Sequence, residues 1–470
     1  MSYKRFLTLT ICTVLPMVIL LLGCVSPAQE QVTKGDNFLK PEQWTEAITA
    51  YNKAIELDPK LNMAELNPEL ATAYTKLGDT YNTNTEYDKA IDAYNKAIEI
   101  APKLAVDELK TKMAGAYLNR GNTYIDKVEY DKVISDYNKA IELAPQLATS
   151  ELKANLATAY SNRAAAYDNN TDYDNAIADY TKAIELDPKL AIAELNRKLS
   201  AAYNNRGIAY YKNGEYDKAI TDYTKAIEID PRYVDTYSNR GQAFNNKSRY
   251  DEAIADSNKA IELDARVILA YFNLGNAYQR KGEYDKAITN YDKAIELEPN
   301  YVDVYNNRGL VYGLKGEYDK SLADFTKAID IDPKLALPFY NRGISYKNNG
   351  DYDKAISDIT KAIDIDPKYT ASYINRGVAY QLTGKYSQAI ADYTKAIEID
   401  PKNSLAYYNR GVSHDSQGEY DKSIDDYTIA IQLDPNGLDS YGNRGNAYSK
   451  IGQTDKANAD WQKYTELKKK

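Results

Sequence analysis

The feature that most constrains the fold is a segment reading "AIELDP", or a close variant of it, which recurs along most of the chain. Successive copies lie 43 residues apart in the first part of the sequence and 34 residues apart in the second. Such a period predicts a linear array of small units, because each unit can bury its apolar side only against its neighbours. The copies end at Pro59, Pro102, Pro145, Pro188, Pro231, Ala265, Pro299, Pro333, Pro367, Pro401 and Pro435.

One unit, residues 200–233, shows what each copy is expected to form. In its second half, Tyr223 belongs to a series of apolar residues spaced three and four apart, which is typical of one face of a helix. Its first half has helical spacing around Gly207, and the Asn-Gly pair at 213–214 predicts a turn between the halves. Pro231 then prevents the second helix from continuing. Each unit is therefore predicted to be a helical hairpin, whose two helices we name A and B.

The units share a pattern of landmark residues when their positions are numbered from 1 to 34. Aromatic, Gly, aromatic, Ala, aromatic, Ala and Pro stand at positions 4, 8, 11, 20, 24, 27 and 32, and this pattern resembles the tetratricopeptide repeat (TPR). The resemblance implies an all-α fold, a right-handed TPR superhelix (α-solenoid) of about twelve helix-turn-helix repeats. Position 8 of repeats 1 to 12 is occupied by Gly35, Gly78, Gly121, Ala164, Gly207, Gly241, Gly275, Gly309, Gly343, Gly377, Gly411 and Gly445.

Insertions of nine residues account for the longer spacing, one after each of the first four prolines. In the second insertion, Leu109 and Met113 continue the helical stripe backward from helix A, so the inserted residues are predicted to add about two and a half turns to that helix. The first insertion contains an Asn-Pro pair at 67–68, which is predicted to restart a helix rather than to extend one. We therefore divide the repeats into a first array, residues 24–199, and a second array, residues 200–470.

The composition argues against catalysis and against nucleic-acid binding. Cys12 and Cys24 are the only cysteines and His414 is the only histidine, so thiol chemistry, Cys/His zinc sites and His-dependent triads have few candidate residues. The formal charge of −9 disfavours binding to phosphate backbones, which requires a basic face. We expect no enzyme activity, no catalytic, metal or cofactor site, and no small-molecule substrate.

The amino terminus is predicted to be a secretory signal that ends at a lipid-modified cysteine. Lys4 and Arg5 precede a long apolar run, and Cys24 follows it. The sequence "LLGC" resembles the lipobox of bacterial lipoproteins, which implies removal of residues 1–23, lipidation of Cys24 and an extracytoplasmic location in the cell envelope. The alternatives are a chance cysteine and an uncleaved anchor, since the run is close to the roughly 17 residues that can span a bilayer.

Nine repeats carry Arg at position 7 together with Asp at position 23, and the other three repeats lack both residues. Joint presence and joint loss within one chain predict contact. We expect an ion pair that links helix A to helix B and has a structural role, the alternative being an exposed pair that contributes little. The predicted pairs are Arg120 and Asp136, Arg163 and Asp179, Arg206 and Asp222, Arg240 and Asp256, Arg308 and Asp324, Arg342 and Asp358, Arg376 and Asp392, Arg410 and Asp426, and Arg444 and Asp460.

Asparagine at position 6 is the main candidate for ligand binding. In a TPR superhelix this position lines the inner surface, so the resemblance implies a ladder of amides along a groove. The acceptor and two donors of an amide suit the backbone of an extended peptide. The alternative is a set of helix-surface residues kept by recent duplication. The candidates are Asn119, Asn162, Asn205, Asn239, Asn273, Asn307, Asn341, Asn375, Asn409 and Asn443.

Apolar residues at positions 5 and 9 are predicted to flank this ladder between repeats 8 and 11. They would form a docking surface for hydrophobic side chains of a peptide. Packing between neighbouring helices is an equally open interpretation. The residues are Leu310, Tyr340, Ile344, Ile374, Val378, Tyr408 and Val412.

Together these features predict a membrane-anchored scaffold that binds extended segments of other proteins in its concave groove. The expected partners are other proteins or extended peptides, and the membrane through a lipid anchor, but not nucleic acid. The alternative function is the substrate-binding superhelix of a glycosyltransfer or glycan-processing complex whose catalytic subunit is a separate chain.

Overall fold

The computed structural model describes residues 25–39, 43–61, 63–103, 106–189 and 194–469. Both cysteines and the predicted signal segment lie outside these residues. Within them all regular secondary structure is helical, and helix A alternates with helix B from repeat to repeat. The prediction of an all-α solenoid of helical hairpins is therefore confirmed.

Repeats 1 to 5 form the first part of the chain, and the longer A helices belong to repeats 2 to 5. The helices of the five repeats are α1 (Pro27–Leu39), α2 (Trp44–Leu57), α3 (Met63–Thr83), α4 (Tyr87–Ile100), α5 (Val106–Ile125), α6 (Tyr130–Leu143), α7 (Ser150–Asn169), α8 (Tyr173–Leu186), α9 (Glu194–Lys212) and α10 (Tyr216–Ile229), with a short 3-10 helix at Pro145–Leu147.

Repeats 6 to 12 follow the shorter spacing. Their helices are α11 (Val234–Asn246), α12 (Tyr250–Leu263), α13 (Ile268–Arg280), α14 (Tyr284–Leu297), α15 (Val302–Leu314), α16 (Tyr318–Ile331), α17 (Ala336–Asn348), α18 (Tyr352–Ile365), α19 (Thr370–Leu382), α20 (Tyr386–Ile399), α21 (Ser404–Ser416), α22 (Tyr420–Leu433), α23 (Leu438–Lys450) and α24 (Thr454–Lys468).

The core of each hairpin explains why its small and aromatic positions recur. In repeat 10, a Cβ added to Gly377 on α19 would lie only 2.7 Å from Cε1 of Tyr393 on α20. Tyr393 and its helix neighbours Ala389 and Ala396 are fully buried, with no exposed surface. The tyrosine ring therefore packs on the bare backbone of helix A, and the alanines let the two helices approach closely.

The turn between helix A and helix B needs a left-handed backbone at position 15. In repeat 5 and repeats 7 to 12 a glycine provides it, with φ between +73° and +89°. In repeats 2, 3, 4 and 6 the same position holds Thr85, Val128, Thr171 and Ser248, with φ between +58° and +63°. A left-handed conformation costs an ordinary residue roughly 1–2 kcal/mol, so these turns carry strain that the glycine turns avoid.

The nine-residue insertions lengthen helix A, as predicted. Helix α7 has 20 residues and α11 has 13, although both end at position 13 of their repeats. The difference of seven residues corresponds to about 10.5 Å, or two turns. The prediction that the Asn-Pro pair restarts a helix is wrong, because α3 runs without a break through Pro68. Pro68 lies in the second turn of that helix, where the missing N–H removes only one early backbone hydrogen bond.

Neighbouring A helices of the second array touch one another, from α11 to α23. No comparable contact joins neighbouring B helices within the described residues. The side on which successive helices approach is the inner side of a curved stack, so the A helices form the inner side of this array.

The described chain divides into two compact units. One contains the repeats up to Arg206 together with Glu228–Pro231, and the other contains Gly207–Ile227 and the chain from Arg232 onward.

Candidate peptide-binding surface

The structure brings the predicted Arg and Asp side chains together in a two-pronged contact. In repeat 10, Arg376 Nε donates to Asp392 Oδ2 at 2.9 Å and Arg376 Nη2 donates to Oδ1 at 2.7 Å. The same pair of bonds, 2.6–2.9 Å long, joins Arg120 to Asp136, Arg163 to Asp179, Arg240 to Asp256, Arg308 to Asp324, Arg342 to Asp358, Arg410 to Asp426, and Arg444 to Asp460.

These pairs are largely enclosed and stay charged. The Asp392 carboxylate is 6% exposed, and its hydrogen bond raises the pKa of the Arg376 guanidinium although burial acts in the opposite direction. Asp136 has the same effect on the pKa of Arg120. An enclosed, two-pronged pair fixes the register of helix A against helix B more than it adds net stability.

The arginines also have a third contact that the sequence reasoning missed. Nη1 of Arg376 donates to the Thr360 hydroxyl at 3.0 Å, and Thr360 lies on helix B of the preceding repeat. Nη1 of Arg163 instead donates to Asp131 of the preceding helix B, at 2.7 Å. The signal was available, because Thr or Asp stands at position 25 of every second-array repeat that precedes an Arg-bearing repeat. Each guanidinium therefore joins three helices of two repeats.

The predicted amides lie on the A helices, where several bond to the neighbouring A helix. Asn375 and Asn443 donate to the hydroxyls of Tyr340 and Tyr408, at 2.9 and 3.0 Å. Asn375 also accepts a bond from Lys347 Nζ at 2.8 Å. These amides therefore link successive repeats as well as facing the inner side.

Two of the predicted amides are not available to a ligand. Asn273 has no exposed surface and donates to the Ser238 carbonyl at 2.8 Å, and Asn341 is 7% exposed and donates to Asn306 Oδ1 at 2.9 Å. Their prediction as groove residues is wrong, because the adjacent A helix covers them. Asn119, Asn205, Asn239, Asn307, Asn375, Asn409 and Asn443 are half-buried and Asn162 is exposed, so their ligand role stays a prediction.

The predicted apolar strip serves mainly as packing between repeats. Ile374 is 7% exposed and belongs to a core cluster, so its prediction as a docking residue is wrong. Ile344 and Val378 are half-buried against that same cluster. Tyr408 and Val412 pack in the same way on the cluster of repeats 11 and 12.

Tyr340 combines two contacts within the strip. Its ring meets Tyr369 edge-on with the centroids 5.1 Å apart, and its hydroxyl accepts the bond from Asn375. Burial raises the pKa of this hydroxyl to about 12, so it stays protonated near neutral pH. Tyr340 therefore acts first as a contact between repeats.

Exposed leucines on the A helices were missed by the sequence reasoning. Leu314 and Leu382 at position 13 are 61% and 56% exposed, and Leu337 and Leu405 at position 2 are 48% and 53% exposed. Positions 2 and 13 are eleven residues apart, close to three full turns, so they lie on one helix face. The sequence indicates these residues by leucine at positions 2 and 13, which hold polar residues in several other repeats. We call these four residues the leucine surface.

A polar cleft of about 290 Å³ opens on the A helices of repeats 5 to 8. It lies on the same inner side as the leucine surface. Side-chain amides dominate its lining, which has one guanidinium and no carboxylate. The lining residues are Tyr211, Gln242, Asn245, Asn246, Asn273, Asn276, Gln279, Arg280, Asn307 and Leu310.

Sequence models of repeat families match the chain along most of its length. The model described as "Tetratricopeptide repeat" matches residues 114–147, 157–190, 200–233, 302–335, 336–369, 370–403 and 404–436, and further TPR models match residues 32–103, 222–255, 244–282, 280–316 and 427–457. The chain belongs to the tetratricopeptide repeat family. TPR arrays are scaffolds for protein–protein interaction, so the coarse prediction of protein or peptide partners is supported.

Several solved structures resemble parts of this TPR chain. YrrB, described as a TPR protein with an unusual peptide-binding site, is 27% identical over 39% of this chain and 95% of its own, with a TM-score of 0.34. MamA is 25% identical over 34% of this chain and 95% of its own, with a TM-score of 0.33. A TPR protein from Parabacteroides merdae is 20% identical over 53% of this chain and 98% of its own, with a TM-score of 0.42. No curated protein sequence matches the chain.

Two further predictions concern features outside this surface. Cys24, the predicted lipidation site, lies outside the described residues, and none of the helices described has the length and apolar character needed to cross a bilayer. The parts of the TPR chain that the structure describes contain no group of His, Cys, Asp and Glu suited to hold a metal ion.

Proposed function

We propose that this TPR protein is a lipid-anchored scaffold without catalytic activity of its own, and that it binds extended segments of other proteins on the A-helix side of its second array. The observation that carries the proposal is the set of exposed leucines on the A helices of repeats 8 to 11, the helix side on which the amide-lined cleft of repeats 5 to 8 also opens. An exposed apolar patch with polar groups at its border is a common feature of protein interaction sites.

The leucine surface would supply most of the binding energy. Burial of an exposed leucine side chain contributes roughly 1.5–3 kcal/mol, whereas the half-buried strip residues have already lost much of their contact with water. The amides of the cleft would fix the orientation of the segment, since a free amide can both donate to and accept from a peptide backbone.

The anchor is proposed from the amino-terminal sequence. Lipidation of Cys24 would hold the chain at a membrane surface, because two or more acyl chains give stable attachment. Metabolic labelling with a fatty-acid analogue tests this step: we expect incorporation into the full chain and none into Cys24→Ser. Equal labelling of both would contradict it.

Peptide display on the purified full chain tests the binding surface. A random dodecapeptide library should yield binders whose affinity falls more than about tenfold in the double variant Leu337→Ser/Leu405→Ser, because two apolar contacts are lost. Leu433→Ser is the matched control, since Leu433 is 38% exposed but lies at the end of α22, a B helix. Binders equally affected by both changes, or by neither, would contradict the proposed surface.

A further inference from the structure

Repeat 6 has a small polar residue at the centre of its core. Position 24 holds a large apolar or aromatic side chain in the other eleven repeats, as in Tyr223 and Tyr291, but in repeat 6 it holds Ser257. Ser257 has no exposed surface, and its hydroxyl has no hydrogen-bond partner among the described residues. Repeat 6 therefore loses the largest contact of a hairpin core and gains no hydrogen bond within the described chain in its place.

This serine divides the apolar core. In repeat 10, Tyr393 and the alanines four residues before it and three residues after it belong to one buried cluster. The equivalent alanines of repeat 6, Ala253 and Ala260, stand on either side of Ser257 and belong to two separate clusters of three buried residues each. Separation of the helices at repeat 6 thus exposes less apolar surface than separation at repeat 10.

Three more enclosed oxygens lie in the same region, where α11, α12 and α13 meet. Ser238 Oγ, Asn245 Oδ1 and Asn273 Oδ1 also have no hydrogen-bond partner among the described residues. A Cβ built on Gly241, which stands between Ser238 and Asn245 on α11, would lie 3.2 Å from Ser257 Oγ. We call the four residues that carry these oxygens the polar layer. Each oxygen that is withdrawn from water without a partner makes the closed arrangement less stable.

The bonds that hold α11 against α13 across the polar layer are few and uncharged. Asn273 Nδ2 donates to the Ser238 carbonyl at 2.8 Å, and Asn245 Nδ2 donates to the Asn273 carbonyl at 3.0 Å. Water replaces such bonds at a small net cost when helices separate, because the same groups then bond to the solvent. The extensive contact between α11 and α13 is therefore polar at this point and opposes opening only weakly.

We propose that the second array opens first at the polar layer, where α13 separates from the hairpin of α11 and α12 while the neighbouring hairpins stay folded. Opening hydrates the four oxygens and exposes little apolar surface, so it costs less here than at a repeat with a continuous core. The polar cleft has α11 on one side and α13 on the other, and opening widens it. The polar layer is thus a hinge of the second array, and this inference does not depend on what the cleft binds.

Thiol labelling of the full chain tests the hinge. The variants Ser257→Cys and Ser321→Cys are compared in a chain whose Cys12 and Cys24 are replaced by serine, with an aromatic disulfide reagent under native conditions. Ser321 is the matched control, because it is a fully buried serine on a B helix whose hydroxyl donates to the Gly309 carbonyl at 2.8 Å. We expect the Ser257→Cys variant to be labelled more than about tenfold faster, since the polar layer opens more often. Equal rates, or faster labelling of the control, would overturn the inference.

A second measurement tests the hinge without a cysteine in the core. Ser257→Ala removes an enclosed hydroxyl that has no partner in the described chain, and it should slow hydrogen exchange in α12 by about threefold or more. Ser321→Ala breaks bonds to the Gly309 carbonyl and the Ser345 hydroxyl, and it should speed exchange in α16 by about the same factor. If both changes speed exchange, the Ser257 hydroxyl stabilises the closed arrangement and the proposed hinge is refuted.

Discussion

Repeats 3 to 5, which have a long helix A, and the later repeats, which have a short one, use the same arginine in different ways. In the first array, Nη1 of Arg120 and Arg163 donates to an aspartate at position 18 of the preceding helix B, and that aspartate is 79% exposed in each case. In the second array, Nη1 of Arg342 and Arg376 donates to a threonine at position 25 of the preceding helix B. The partner therefore differs by seven positions along helix B.

This difference equals the extra length of helix A in the first array. Helix A is seven residues longer in α7 than in α11, and the arginine contact lies seven residues nearer the start of the preceding helix B. Seven residues make almost two full turns, so the same faces still meet after the shift. The insertion thus shifts each hairpin along the preceding hairpin by about 10.5 Å, and the same helix faces still pack against each other. In the second array the aspartate at position 18 pairs with a lysine of the next repeat instead, as when Lys315 donates to Asp285.

The largest effect is expected from breaking the enclosed Arg–Asp pair, which both arrays contain. Asp136→Ala in the first array and Asp392→Ala in the second should each lower the free energy of local opening by about 3–5 kcal/mol, because a guanidinium is left without its partner. Hydrogen exchange measured helix by helix gives this quantity, since a repeat array opens in parts. A large loss in one array and a negligible loss in the other would show that the pairs are not equivalent.

The chain supplies the control for this prediction. Repeat 7 has Leu274 and Asn290 at the paired positions, and Leu274 is 3% exposed in a packed interior. The double variant Arg376→Leu/Asp392→Asn places the same two residue types at the paired positions of repeat 10. It should recover most of the loss, since an enclosed ion pair can be replaced by uncharged residues at little cost.

The sequence predicted the features that lie within one repeat better than the features that depend on contact between two repeats. The hairpins and the Arg–Asp pairs lie within one repeat, and their spacing alone identified them. The third arginine contact joins two repeats, so its signal is a correlation between position 7 of one repeat and position 25 of the preceding one, and whether position 18 or position 25 is the partner depends on the shift between repeats. That shift is a property of two hairpins and has no signature within one.

The residues whose exposure was misjudged follow the same rule. Asn273 and Ile374 stand at positions that face the inner side, yet neighbouring helices cover both. Helices α11 and α13 have the most extensive contact of any consecutive A helices in the described ranges, which accounts for the enclosed Asn273. Pro68 was misjudged for a different reason, since the tolerance for proline depends on its distance from the helix start.

A smaller effect is expected from the turns, where the arrays differ in residue type. Val128→Gly should stabilise repeat 3 by about 1 kcal/mol, because Val128 holds a left-handed backbone with φ +61° and its side chain is exposed. Gly316→Val in repeat 8 should destabilise its turn by roughly 1–2 kcal/mol. Thermal unfolding combined with hydrogen exchange at the turn measures both changes. Val128→Ala keeps a Cβ and should gain little, so an equal gain from alanine and glycine would contradict backbone strain as the cause.

The smallest expected effect concerns the third contact of the arginine, which is made to an aspartate by Arg163 and to a threonine by Arg410. The stability lost with each contact should depend differently on salt. Asp131→Asn removes an exposed charge beside Arg163 and should cost below about 0.5 kcal/mol at low salt and nothing at 1 M salt, because exposed charges are screened. Thr394→Val removes the neutral acceptor of Arg410 and should cost about 1 kcal/mol at either salt concentration. Local opening of α7 and α21, followed by hydrogen exchange at the two salt concentrations, compares them. If both variants respond to salt alike, the seven-residue shift has not changed the electrostatic character of the contact, and the distinction between the arrays is one of geometry alone.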